Sequence, residues 1–173
     1  MKRRLLPPIV VCLALLAAFP TGAGAQTGGS SFPTVFLSAT TAAGRFQGAF
    51  EIRRFRVRGP GLAVFGRLSG RLRDRRYPSA QRVRRRPFSF DVTAGRPAGV
   101  TTCARVAISF AGRTAPVLGL AATFPPRTVV LRPRRGTGRP TGSLLCGTSS
   151  AFATNAPPTV TVHLLNALRL QYA

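Results

Sequence analysis

From Phe46 the chain alternates apolar and polar positions with a period of two: Phe46, Gly48, Phe50 and Ile52 share one face. The alternation slips by one residue at Arg53-Arg54, after which Phe55 and Val57 carry the apolar face. One extra residue in an alternating run is the mark of a β-bulge. Gly59-Pro60-Gly61 turns the chain, and Leu62, Val64, Gly66, Leu68, Gly70 and Leu72 then alternate with Ala63, Phe65, Arg67, Ser69, Arg71 and Arg73. The pattern predicts a long β-hairpin over residues 46–73 with one apolar face.

Beyond it, Phe88 to Thr93 predicts a short strand, with Phe88, Phe90 and Val92 on one side. Arg105 to Phe110 predicts another, with Val106, Ile108 and Phe110 inward. Pro116 to Phe124 is apolar without clean alternation, and Arg127 to Leu131 is a further strand. Ser143 to Phe152 reads as a helix with Ser143 as its N-cap. Val160 to Leu170 is two-sided: "TVTVHL" looks extended, whereas Leu164, Leu165 and Leu168 have helical spacing, and helix is the preferred reading. The sum is a mainly β, antiparallel, sandwich-like single domain over 46–173, with one or two short C-terminal helices.

The first residues read differently. Lys2, Arg3 and Arg4 precede the apolar run Ile9 to Phe19, then Pro20 and the small residues Ala23-Gly24-Ala25. This is the layout of a secretory signal peptide over 1–25, with cleavage expected before Gln26. Lipoprotein processing at Cys12 is the rival; Val11 is not small and the apolar run continues past the cysteine, which favours simple cleavage. Residues 26–45 are expected to be a flexible N-terminal segment, and no later stretch is apolar enough to span a bilayer. The expected location is extracytoplasmic: periplasm, cell wall or exterior. Cys103 and Cys146 then remain as an even pair in an oxidising compartment, expected to form a disulfide. The competing use, as metal ligands, lacks partners, because His163 is the only histidine.

Charge changes the picture most. The chain carries 26 Lys+Arg against 3 Asp+Glu, a net +23. Without Lys2, Arg3 and Arg4 the balance is about +20, and every remaining base is arginine, a residue that binds phosphate and carboxylate as a bidentate fork. A G+C-rich genome would also enrich Arg, Ala, Gly and Pro, but it would not deplete Asp. Arg54, Arg56 and Arg58 on the first hairpin strand, with Arg67, Arg71 and Arg73 on the second, are expected to form a basic panel. Asp74 to Pro87, "DRRYPSAQRVRRRP", reads as a charged loop.

Catalytic chemistry finds little to work with. Glu51, Asp74 and Asp91 are the only carboxylates, and no G-x-S-x-G elbow accompanies His163. "RPRRGTGRPTGSLLC", Arg132 to Cys146, has glycines at the wrong spacing for a P-loop or a dinucleotide fingerprint. What remains is an anion seat, with Arg132, Arg134, Arg135 and Arg139 crowding the approach to a helix N-terminus. No enzyme activity, cofactor or metal is expected.

Two segments carry a resemblance. Phe46-Gln-Gly48-Ala-Phe50-Glu-Ile52-Arg-Arg-Phe55 is followed by Cys103 with Val106, Ile108 and Phe110, then Gly112, Pro116-Val117-Leu118-Gly119-Leu120 and Val129-Val130-Leu131. The ending is Gly136-Thr-Gly138-Arg-Pro-Thr-Gly142-Ser-Leu144-Leu145-Cys146. This order resembles a family of uncharacterised exported bacterial proteins, frequent in actinobacteria, over about residues 46–73 and 103–170. The resemblance implies export, the cysteine pair and a compact, mainly β fold, and it implies no activity. The chain departs from it at Ala107, Ser109 and Arg113, where the family tends to carry aspartates, and at Arg139-Pro140, in place of a Leu-Leu pair. The functional expectation is a secreted, non-catalytic protein that binds an anionic envelope polymer or surface: lipopolysaccharide, teichoic acid, acidic glycan or extracellular DNA. The alternative is a structural or protein-interaction module whose arginines reflect composition.

Overall fold

The computed structural model describes residues 32, 34–75, 79–100, 103, 105–133 and 140–172. The predicted leader, Arg134, Arg135 and Arg139 lie outside them. Alternating apolar positions build eight strands, β1 Thr34–Thr41, β2 Gly44–Arg58, β3 Gly61–Asp74, β4 Gln81–Gly95, β5 Val106–Phe110, β6 Arg113–Val117, β7 Leu120–Phe124 and β8 Arg127–Leu131. Two helices follow, α1 Pro140–Ala153 and α2 Pro158–Tyr172. All strand pairs are antiparallel, in the order β6-β7-β1-β2-β3-β4-β5-β8.

That order closes on itself. β5–β6 and β7–β8 are two halves of one long hairpin: stepping outward from Val117–Leu120, one residue per strand, arrives at Phe110–Arg127 with no slip in register. Ala111-Gly112 and Pro125-Pro126 interrupt the ladder at a corner, where the prolines have no N–H to give. β5 pairs with β4 before the corner and β7 pairs with β1 after it, which joins the two edges of the sheet. The hairpin's tip is Leu118-Gly119, both at positive φ (52° and 80°), the twist a two-residue turn demands.

The interior is a phenylalanine cluster. Phe90 of β4 touches Phe50 of β2, Phe110 of β5, Phe124 of β7 and Phe88 of its own strand, with ring centroids 5.0 to 5.7 Å apart. Room for the neighbouring Phe46 comes from a cross-strand glycine pair. A Cβ on Gly48 or Gly70 would stand 2.5 or 2.6 Å from the Phe46 ring tip, so glycine is required beneath it.

α1 starts with Pro140 at its first position, where a missing N–H costs nothing. It ends in Asn155 at φ 49°, with Ala156 N–H donating to Ala151 O. α2 buries Thr161, Leu165, Leu168 and Tyr172, a helical stripe that overrides its β-branched start. Its Asn166 does a specific job. Beyond Glu51, β2 has no β1 partner, and Asn166 replaces one: Phe55 N–H donates to Asn166 Oδ1 at 2.8 Å, and Asn166 Nδ2 donates to Phe55 O at 3.1 Å. Asn166→Leu leaves both backbone groups without these partners and is expected to cost about 1–3 kcal/mol, read by urea unfolding.

Several expectations are corrected. The sheet begins at Thr34, not Phe46: Val35, Leu37 and Ala39 are buried and alternate with Phe36, Ser38 and Thr40. The charged segment after Asp74 is largely strand, because Gln81 to Pro87 belongs to β4 and Val83 is buried. Helix α1 begins at Pro140, three residues before Ser143, so Ser143 is not its N-cap. Val57 is 41% exposed, so the apolar face of β2 ends at Phe55. The mainly β class, the bulge at Arg53-Arg54 and the two C-terminal helices stand as expected. Cys103 and Cys146 stand at bonding distance, Cα atoms 4.5 Å apart, joining the β4–β5 connection to α1.

Candidate functional site

The outer face of β2, β3 and β4 carries the arginines, and the hairpin register decides which of them meet. Counted from the turn, Arg54, Arg56 and Arg58 lie opposite Phe65, Ala63 and Gly61. Arg67, Arg71 and Arg73 lie opposite Glu51, Gln47 and Arg45, toward the other end. The two triplets therefore do not face each other as one panel. The structure sorts them into two regions.

Near the turn, Phe65 is the organiser. The guanidinium carbons of Arg54, Arg56 and Arg58 lie 5.8, 5.8 and 5.1 Å from its ring centroid. Such cation–π contacts hold a guanidinium in place for about 0.5–1 kcal/mol each when exposed. Arg58 also pairs with Asp91 at 2.8 Å and donates to Ser89 Oγ at 3.1 Å. Next to this group, a groove of about 600 Å³ opens between β3–β4 and β6, lined by Arg53, Arg54, Arg67, Arg113, Phe65 and Phe88 among others. It exists because β6 returns beside β4 without a backbone ladder to Pro87–Ser89. Arg113 closes the gap instead: it donates to Ser89 O at 2.6 Å and lies 5.3 Å from the Phe88 ring centroid.

The bulge at Arg53-Arg54 sets the charge density here. Ile52 and Phe55 both point inward, so both intervening arginines are exposed. Arg53 pairs with Glu51 at 3.0 Å. Both ion pairs are half-exposed, a setting in which such pairs are worth roughly 0.2–1 kcal/mol. Arg54, Arg56, Arg67 and Arg113 have no carboxylate partner among the described residues.

The second region lies toward the open end of the hairpin. Arg71, Arg73 and Arg127 line a cleft of about 820 Å³ over Gln47, Ala49 and Ser69, beside the exposed Phe36. Arg127 also donates to Phe36 O. Arg73 stands opposite Arg45 and Arg71 opposite Arg82, like charges directly across a sheet, which repel. A second bulge, with Arg85 at φ 43° and its N–H on Ser69 Oγ, exposes Arg84, Arg85 and Arg86 close by.

Of the sequence-predicted residues, Arg54, Arg56, Arg58 and Arg67 come together, and Arg71 and Arg73 form the second region. Arg132 stands apart at the end of β8, its carbonyl accepting from Tyr172 Oη, and lines neither cleft. The anion seat before α1 falls mostly outside the described residues. Arg53 and Arg113 were missed. The bulge itself was the signal for Arg53, whereas nothing local marks Arg113. Among the described residues there is no group of three or more His, Cys, Asp or Glu that could hold a metal ion, and no helix long and apolar enough to cross a membrane. No protein-family model, curated protein or solved structure matches the chain.

Proposed function

We propose that the protein is an exported, non-catalytic binding protein that holds an anionic polymer or surface of the cell envelope through the arginines outside β2, β3 and β4. One observation carries this reading: Arg54, Arg56, Arg67 and Arg113 lie together and lack carboxylate partners among the described residues, and Arg54, Arg56 and Arg113 are seated on half-buried phenylalanines. An anion entering there relieves their mutual repulsion and meets forks already oriented. The charge-patterned leader and the cysteine pair support an extracytoplasmic location, as does the resemblance to exported actinobacterial proteins. Two of the three carboxylates, Glu51 and Asp91, face Arg53 and Arg58, which supports an ion-pairing rather than an acid–base role for them.

The wide spread of Arg71, Arg73, Arg82 and Arg84 to Arg86 favours a second reading, a structural or protein-interaction module with a compositional excess of arginine. A salt titration separates the two. Binding to lipopolysaccharide, an acidic glycan and DNA is measured from about 50 to about 500 mM salt, where non-specific ion exchange falls steeply. The proposed function expects one of the three to stay bound at physiological salt. Equal, weak binding to all, gone near that salt, speaks for composition alone.

A further inference from the structure

Arg54 and Arg56 sit two residues apart on one face of β2, which spaces their backbones by ~7 Å at the rise of a strand. Arg58 continues the row, but Asp91 takes its charge. At the other end the row runs into the groove between β4 and β6, where Arg67 and Arg113 wait. The arrangement is a track that ends in a slot, with arginines leaving the strand at about the length of one extended chain repeat and their guanidinium groups gathered around Phe65. Phosphates along an extended phosphodiester chain recur in this way, and each offers the two oxygens a guanidinium fork grips.

The rings argue about what the chain carries between its phosphates. Proteins that hold single-stranded nucleic acid stack bases on open aromatic faces. Here Phe65 is covered by Arg54, Arg56 and Arg58, and Phe88 by Arg113, and both are half-buried. The exposed Phe36 belongs to the other cleft. The seat offers forks and no open aromatic face for a base to stack on.

We propose that Arg56, Arg54, Arg67 and Arg113 seat a phosphodiester polymer without bases, a chain of polyol or sugar phosphates, along β2 and into the groove beside β6. This rests on the polyanion reading above. The test uses the full mature chain at about 150 mM salt with three probes of matched charge: poly(glycerol phosphate), oligo-deoxythymidine and polygalacturonate. Wild type is expected to bind poly(glycerol phosphate) at least about tenfold more tightly than the other two. R54Q/R67Q is expected to lose about tenfold or more of that affinity, and R71Q/R73Q, with the same charge removed from the other cleft, less than about threefold. Arg113 is left in place because it caps Ser89 O, and unchanged melting of both variants excludes misfolding. Equal binding of the three probes, or equal weakening of the two variants, overturns this seat while leaving the broader reading intact. No binding of any probe at this salt overturns the polyanion reading itself.

Discussion

Phe90→Ala is expected to destabilise the protein by about 4 kcal/mol, the largest effect of any single side chain here. Phe90 is fully buried and joins four elements, because it meets Phe50, Phe88, Phe110 and Phe124 at once. The loss combines the transfer of a ring to water, a cavity that four rings cannot all move to fill, and edge-to-face contacts worth about 0.5–1.5 kcal/mol each. For a chain of this size that corresponds to a fall in Tm of roughly 8–16 °C, measured by calorimetry or circular dichroism. Phe36→Ala, at a ring 51% exposed, is the control and should shift Tm little. Similar losses from both would refute the central role given to Phe90.

Removing the cross-link, by Cys103→Ser with Cys146→Ser, is expected to cost a comparable amount. Closing a loop of 43 residues is worth about 4 kcal/mol on the chain-entropy scale. The damage should be uneven. Among the described side chains of α1, Leu145 is the fully buried apolar one, and one polar tie toward the sheet side is Arg96 Nε donating to Ser149 Oγ at 3.3 Å. The β2–β3–β4 ladders, by contrast, run the length of each strand. Hydrogen exchange on the double variant should therefore speed up in α1 first, while amides of β3 stay protected. A uniform rise across both would show that the bond stabilises the whole sheet rather than one helix. In the native chain, unreduced mass spectrometry should find Cys103 and Cys146 joined.

The hairpin shows what local pattern can carry. Period two, one extra arginine and a Gly-Pro-Gly turn were enough to place β2, the bulge and β3. The same information contained the correction to the arginine panel. With the turn at Gly59-Pro60, Arg54 to Arg58 must pair within Gly61 to Phe65, so they cannot face Arg67 to Arg73. The start of β4 was hidden for another reason. Its one buried residue in "QRVRRRP" is Val83, and a second bulge breaks the alternation around it, so charge density outweighed periodicity. β1 was legible in Val35, Leu37 and Ala39 but lay next to a Gly/Ser-rich stretch that set the expectation of a flexible segment.

The sequence by itself determined the β2–β3 hairpin with its turn and bulge, the strands β5 and β8, and the outward-pointing arginines of the hairpin. These depend on residues two to four apart, whose relation is the same in any fold. Only the tertiary structure decided which arginines share a groove. Arg113 reaches Ser89 and Phe88 because the β5–β8 hairpin turns a corner and brings β6 back beside β4, 24 residues away along the chain. Asn166 takes the place of a neighbouring strand for Phe55 across 111 residues. Such contacts arise from closure of the sheet and the docking of α2, long-range packing that no local periodicity encodes.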